Sequence, residues 1–483
     1  MTKEISADNR LRVLIVATEV SPYAKSGGLG DVAGSLPKEL LRNGVDVRVV
    51  MPKYRTIREE YLKNCQYIHS FELHLDWRRQ SASIFQLDSD VPTYLIENDY
   101  YFGRDGFYGY GDDFERFAFF SKAAVEFLGI VGFKPDIMHF NDWQTGLAPI
   151  YLNDQYKKFL FYSDIKTLYT IHNLQYQGVF GRDILGHVDL NDGYFCGGQL
   201  EFHGNVSYMK AGLSYADHIS TVSETYAREI QTPAFGYGLD GALRYRANAL
   251  SGILNGIDYD ANNPETDKRL YFNFNSESLE NKRKNKIELQ KALHLPERAD
   301  VPMFSVISRL VDQKGLDLIA QCMDELMSKD IQFVLLGTGD GRYEHLFRYM
   351  AQRYPDKVSA NIMFNEDLAQ KIYASSDLFL MPSLFEPCGL GQIIAMRYGT
   401  VPVVRKTGGL ADTVSHYNRE TKEGNGFLFE DYLASGLMWA VNQALDAYYS
   451  DEWDNVVKNA LASDFSWKKS AEKYIELYQS LKG

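Results

Sequence analysis

The chain has 483 residues, four cysteines and a formal net charge of −13, with 45% hydrophobic and 24% charged residues. This is the composition of a globular protein with full cores and room for two or three domains. The acidic balance argues against nucleic acid or anionic membrane as partners, the scattered cysteines against a disulfide scaffold or zinc ribbon, and the apolar runs are too short to span a bilayer. The opening stretch lacks a basic segment followed by an apolar run and a small-residue cleavage site, so no secretory leader is expected and the expected location is cytoplasmic. On so acidic a chain, any phosphate-bearing substrate must be met by particular Lys and Arg residues.

RVLIVATEV reads as a buried parallel strand, followed by a loop holding SPYAKSGGLGDV. A helical pattern then runs through AGSLPKELLRNG, with Gly44 as its C-cap, and VDVRVVMP is the next strand. IFQL and TYLIEN flank Asp88-Ser89-Asp90, which reads as a hairpin turn and not as a metal-binding pair. Strands follow at PDIMHF and KTLYTIHN, and the spacing predicts an α/β layer fold. The stretch NSESLENKRKNKIELQKALHLPERAD is charged and poor in apolar residues, so it is expected on the surface. From Val301 a second series begins: MFSVISRL as strand, GLDLIAQCMDELMSK as helix, QFVLLGTG and DLFLMPS as strands, GLGQIIAMRYG as helix and VPVVR as strand. The alternation predicts a second doubly wound parallel sheet. The division this implies is 1–252 for the first domain and 253–465 for the second, with a last helix in 466–483 that can pack back on the first.

An internal echo stands out. Lys25-Ser26-Gly27-Gly28-Leu29-Gly30-Asp31 and Lys406-Thr407-Gly408-Gly409-Leu410-Ala411-Asp412 share K-[ST]-G-G-L-x-D. Each follows a predicted strand and opens a predicted helix. Paired glycines permit positive φ and close approach of backbone to a ligand, and the helix N-terminus offers N–H groups to an anion. Two tight turns without a ligand would explain one copy better than two.

Other patterns fall short. Neither Lys25-Ser26 nor Lys406-Thr407 has the upstream glycine of a P-loop. Gly337-Thr338-Gly339-Asp340-Gly341-Arg342 is a dinucleotide fingerprint without its last glycine, a thin basis for a nicotinamide-dependent oxidoreductase. No G-x-S-x-G or H-E-x-x-H occurs, and the reading includes no cofactor and no metal.

KSGGLGDV, NDWQTGL, TIHN, the SRL…QKG segment, FEPCGLGQ and RKTGGLADTV together resemble the bacterial glycogen synthases and plant starch synthases, in order from about Leu11 to Trp467. The resemblance implies a GT-B fold of two Rossmann-like, doubly wound parallel-sheet lobes facing a deep cleft, with nucleotide in the C-terminal lobe and acceptor in the N-terminal lobe. It implies transfer of glucose from ADP-glucose to the 4-hydroxyl end of an α-1,4-glucan such as glycogen, with retention of configuration. The catalytic residues implied are Glu386, Arg309, Lys314, Lys25 and His172. Arg309 and Lys314 stand where the family has its diphosphate clamp, Lys25 where it has a donor-contacting lysine, and Glu386 where it meets glucose hydroxyls and the charge at the anomeric carbon. The competing local reading of Glu386 is an N-cap carboxylate, a role worth about 1 kcal/mol.

Substrate contacts are implied at Gly27, Gly28, Asp31, Asp142, Asn255, Cys388, Gly389, Leu390, Thr407, Gly408, Gly409 and Leu410. The amides of Gly408, Gly409 and Leu410 are expected to meet the diphosphate. Phe364 is either a platform for the base or core packing, and Cys388 either a binding-loop residue or apolar filler. The chain departs from many relatives at Asn141, where they have histidine, and at Ile394, where related enzymes have a second glutamate. Three rivals remain at this level: a UDP-glucose-dependent transferase, the oxidoreductase, and a non-catalytic glucan-binding protein.

Overall fold

The computed structural model describes residues 10–483; the first nine, part of the stretch read for a leader, lie outside the described residues. The chain forms two units. The first runs to Val222 and takes in Ala227–Gly256 and Trp467–Gly483, and the second consists of Ser223–Tyr226 and Ile257–Ser466.

The first unit is built on a nine-stranded sheet in the spatial order Leu250–Gly252, His218–Thr221, Lys166–Ile171, Ile137–Asn141, Arg12–Val16, Asp46–Pro52, Thr93–Glu97, Arg78–Gln86, Gln66–Leu75. The first seven run parallel, and the last two are joined antiparallel. The parallel sheet expected from the sequence therefore carries an antiparallel edge. The turn at Asp88-Ser89-Asp90 links two of these antiparallel strands, as its flanking runs predict. Arg12–Val16 reads as an unbroken apolar run because both faces are covered: Val13, Leu14 and Val16 have no exposed surface. Helix Gly28–Arg42 follows, and Gly44 beyond it takes φ +83°, the left-handed turn that ends a helix.

Chain order matters more than strand number. The sheet starts at Arg12–Val16, grows to one side through Asp46–Pro52, then restarts on the other side with Ile137–Asn141. The second unit repeats this with six parallel strands: Val358–Asn361, Gln332–Leu336, Met303–Ile307, Leu378–Met381, Val401–Arg405, Phe427–Phe429. Its reversal falls between Met303–Ile307 and Leu378–Met381. In such sheets ligands bind outside the carboxyl ends of the strands where the order reverses.

Helix Trp467–Lys482 belongs to the first unit. Its Tyr478 hydroxyl meets His139 Nδ1 at 2.7 Å, and the His139 Nε2 meets Thr170 Oγ1 at 2.6 Å. Burial drives His139 down to about 3, so the ring is neutral.

The stretch expected on the surface is a correction. It forms helix Leu279–Ala292, which buries Lys282, Asn285, Lys286, Leu289 and Gln290. Lys282 Nζ donates to the carbonyls of Ala374 and Tyr398 (3.1 and 3.0 Å) and to Thr400 Oγ1 (2.9 Å), and burial lowers it to about 7. Lys286 pairs with Asp377 at 2.6 Å, and Gln290 with Gln332 at 2.7 Å. Periodicity failed here because the buried face is polar and satisfied by partners far along the chain.

Candidate active site

In the first unit, the strand Arg12–Val16 delivers its chain to Glu19, which is 4% exposed. Glu19 Oε2 accepts the amides of Ser26 and Gly27, the latter at 3.2 Å, and Oε1 accepts Ser26 Oγ (2.8 Å) and the Tyr108 hydroxyl (2.7 Å). The loop between is closed at Val20, whose carbonyl takes the amides of Tyr23 and Ala24. Lys25 Nζ pairs with Asp31 Oδ1 at 2.7 Å, so these two motif residues satisfy each other. Gly27 is extended (φ −161°, ψ −164°), and a Cβ at Gly27 or Gly28 would meet nothing within 4 Å. Neither the fold nor the backbone angle of Gly27 requires glycine there. The amides expected to serve an anion are partly spent, since those of Ser26 and Gly27 go to Glu19.

Beyond the next strand across the reversal, Asp142 has φ 57° and ψ 177°, a region nearly confined to glycine. Its Oδ1 accepts the His172 amide at 2.7 Å. Burial pushes its carboxyl up to about 7, against the lowering effect of the His172 and Asn173 amides. His172 Nε2 lies 2.9 Å from Asn141 Oδ1. The Asn141 amide nitrogen donates to the carbonyls of Val16 and His139, so its oxygen must be the acceptor toward His172. Burial lowers His172 to about 3, so the ring is neutral, carries its proton on Nε2 and leaves Nδ1 as an acceptor. Asn141 thus sets this tautomer. Asn255 is buried, and its Oδ1 has no hydrogen-bond partner among the described residues.

In the second unit, the two strands at the reversal supply the charged pair. Lys314, in the turn after Met303–Ile307, lies 2.7 Å from Glu386 Oε2, and their side chains are 16% and 7% exposed. Ser383 Oγ donates to the same oxygen at 3.1 Å. Gln313 holds the Glu386 loop: its carbonyl takes the Leu384 amide at 2.9 Å and its side chain donates to the Phe385 carbonyl at 3.3 Å. Arg309 is exposed, with no ion pair among the described residues.

The second Gly-Gly loop is packed against the main chain of segment 386–388. Of the four motif glycines only Gly408 has positive φ (45°). A Cβ on Gly408 would collide with the Glu386 carbonyl, and one on Gly409 with the main chain of Cys388. The Gly409 amide donates to the carbonyls of Glu386 (3.0 Å) and Pro387 (3.2 Å), and that of Leu410 to Thr407 (3.0 Å). These amides are therefore engaged within the protein. The loop buttresses segment 386–390, whose Gly389 and Leu390 amides have no partner among the described residues. Thr407 and Cys388 are buried beneath. Asp412 does not repeat the pairing of Asp31; it accepts the Thr225 amide and hydroxyl.

Phe364 is 81% exposed, which removes the core-packing reading. Ile394 packs against the core of this unit. Gly337 and Gly339 lie against the main chain of Ser308 and Leu310, so the near-fingerprint is accounted for by strand packing. Glu19, Tyr108, Ser383 and Gln313 were missed. Glu19 and Tyr108 are 89 residues apart, and no local pattern joins them.

Among the described residues no cluster of three or more His, Cys, Asp or Glu could hold a metal, and no helix is long and apolar enough to cross a membrane. The two units have the GT-B fold of glycosyltransferases, and the glycosyl transferases group 1 model matches the second of them; the architecture also matches sucrose-phosphate synthase from Thermosynechococcus elongatus (TM-score 0.62, 18% identity, 98% of this chain and 99% of that one), a likeness of fold alone. The starch synthase catalytic domain model matches residues 12–245 and the glycosyl transferases group 1 model residues 290–461. Glycogen synthase of Clostridium acetobutylicum is 51% identical over 476 residues (98% of this chain, 100% of that one), and that of Lachnospira eligens 51% over 478 (97% and 99%). The catalytic domain of starch synthase IV from Arabidopsis thaliana, bound to ADP and acarbose, superposes with a TM-score of 0.92 at 36% identity (98% and 99%). The chain belongs to the glycogen synthase and starch synthase family.

Proposed function

We propose that this chain transfers glucose from ADP-glucose to the non-reducing 4-hydroxyl end of an α-1,4-glucan, with retention of configuration, in the cytoplasm. The observation that carries the reading is the buried Lys314–Glu386 pair, 2.7 Å apart, with the exposed Arg309 on the same connection as Lys314. Departure of the nucleoside diphosphate breaks the bond from C1 to oxygen and builds negative charge on phosphate. Arg309 and Lys314 stabilise that charge, and Glu386 meets glucose hydroxyls and the positive charge developing at C1. The acceptor 4-hydroxyl attacks C1 from the face the diphosphate leaves. Its proton passes to the departing phosphate oxygen as the new C1–O4 bond forms, so no enzyme nucleophile is needed.

The remaining roles belong to the same proposal. The amides of Gly389 and Leu390 bind donor oxygens, the loop of Thr407, Gly408, Gly409 and Leu410 supports them, and Phe364 stacks on the base. Neutral His172 accepts a sugar hydroxyl at Nδ1, with Asp142 and Asn255 as further sugar contacts. Gly27 and Gly28 let a ligand approach the backbone closely, Asp31 holds Lys25, and Lys25 engages the donor phosphates during turnover.

The Arabidopsis structure bound to ADP favours an adenine donor over a uracil one. Competition between labelled ADP-glucose and UDP-glucose with glycogen as acceptor tests this. Preferred incorporation from ADP-glucose is expected; preference for UDP-glucose, or no incorporation, contradicts it. A trapped covalent glucosyl-enzyme would overturn the single-face mechanism.

A further inference from the structure

Glu19 is a buried carboxylate with no cation beside it among the described residues. Both its oxygens are engaged: Oε2 accepts the amides of Ser26 and Gly27, and Oε1 accepts the hydroxyls of Ser26 and Tyr108. Tyr108 is braced in turn by Thr18 Oγ1 at 3.0 Å, and burial holds its hydroxyl protonated, well above the usual tyrosine range. No ion pair to Glu19 occurs among the described residues. A carboxylate so placed is held by hydrogen bonds and lies at the N-terminal end of helix Gly28–Arg42, of which Ser26 and Gly27 are the approach.

The consequence concerns Lys25. The chain from Val20 to Ala24 is closed on itself, and Ser26 and Gly27 are gripped by Glu19, so Lys25 is the residue left between two clamps. Its side chain is 39% exposed and its ammonium pairs with Asp31. We propose that Glu19 is a positioning residue for glucosyl transfer: its grip on Ser26 and Gly27 sets where the Lys25 ammonium and the open backbone edge of Gly27–Gly28 stand. The inference rests on the proposed reading that Lys25 acts on the donor in turnover. A helix cap alone would explain the same hydrogen bonds, but it would tie Glu19 only to stability. A positioning role ties it to Lys25.

The test is a double-mutant cycle on the full chain, with Glu19→Ala, Lys25→Ala and both together. Glu19→Ala is expected to lower kcat about 100-fold, the scale of a 1 Å misplacement. It should leave the affinity for ADP unchanged, and in the Lys25→Ala background it should cost little more. Glu19→Gln keeps an oxygen for the two amides while the Ser26 and Tyr108 hydroxyls reverse to accept from its NH2, so most turnover returns. Independent multiplication of the two losses, wild-type kcat in folded Glu19→Ala, or a parallel loss of ADP binding would overturn the proposal. Where Glu19→Ala does not fold, Glu19→Gln with Tyr108→Phe serves in the same cycle.

A readout besides activity separates this from failure of the function itself. The rate at which an amine-reactive ester acylates Lys25, followed by peptide mass spectrometry, should rise in Glu19→Ala. An unchanged rate contradicts the positioning role whether or not the wild type transfers glucose. A wild type inactive with every donor sinks the functional reading alone.

Discussion

The amide of Gly409 donates to the main-chain carbonyl of Glu386 at 3.0 Å. The glycine pair that resembles an anion cradle in sequence is thus the floor under the loop that carries the acidic residue. Its counterpart, Gly27–Gly28, faces open space and is gripped by Glu19 from one side. The same seven-residue pattern serves two physical purposes.

That difference separates two alanine substitutions. Gly409→Ala forces a Cβ into the main chain of Cys388, and overpacking of this kind costs roughly 1–3 kcal/mol or more. A clear fall in melting temperature is expected, together with loss of activity. Gly27→Ala meets no atom within 4 Å at an extended φ, so its melting temperature should stay at the wild-type value while turnover falls. Equal thermal effects in the two variants would remove the distinction.

The Lys314–Glu386 pair should behave as a buried pair broken from one side. Glu386→Gln leaves Lys314 without its counter-charge, with a cost of about 3–5 kcal/mol in the buried limit. Lys314→Met combined with Glu386→Gln should recover stability but not activity, with kcat at least about 100-fold below wild type. Recovery of activity along with stability would show that the pair is only structural.

Asp142 gives a pH signature. Its carboxyl is raised to about 7 when folded, so the folded state holds a proton that the unfolded chain gives up near pH 4. Its ionisation therefore costs stability progressively from about pH 4 to about pH 7, and the cost is constant above. Asp142→Asn keeps an oxygen for the His172 amide and cannot ionise. Its melting temperature relative to wild type should climb across that window and then level off. A gap independent of pH would place the carboxyl in an ordinary environment.

Lys282 predicts the opposite slope at higher pH. Lowered to about 7 when folded, it is protonated in the unfolded chain up to about pH 10.5, so its contribution to stability rises between these values. Wild type should gain on Lys282→Met as pH moves from 7 toward 10, in thermal melts at matched ionic strength. A flat difference would mean that the ammonium stays charged among the carbonyls of Ala374 and Tyr398.

Strand runs such as Arg12–Val16 and Met303–Ile307 were legible because strands buried on both faces leave a continuous apolar signature. The strand Gln66–Leu75 was not read, being a half-exposed edge with a mixed pattern. Helix Leu279–Ala292 was misread as surface because hydrophobicity cannot show that Lys282 and Gln290 find buried partners about 40 to 120 residues away. At the site, the family resemblance pointed to Lys25, Lys314 and Glu386. It could not show that Asp31 takes up Lys25, that Gly409 spends its amide on Glu386, or that Glu19 and Tyr108 belong to the same cluster. Those facts exist only in three dimensions.

The central claim is a division of labour: the second unit binds the nucleotide, and the loop of Lys25 acts on the donor only in turnover. Calorimetric titration of ADP into Lys25→Ala, set beside its kcat for glucose transfer from ADP-glucose to glycogen, tests it most directly. The expected result is an ADP affinity equal to wild type with kcat reduced about 100-fold or more. A loss of ADP affinity matching the loss of kcat would contradict the claim and make Lys25 an ordinary nucleotide-binding residue.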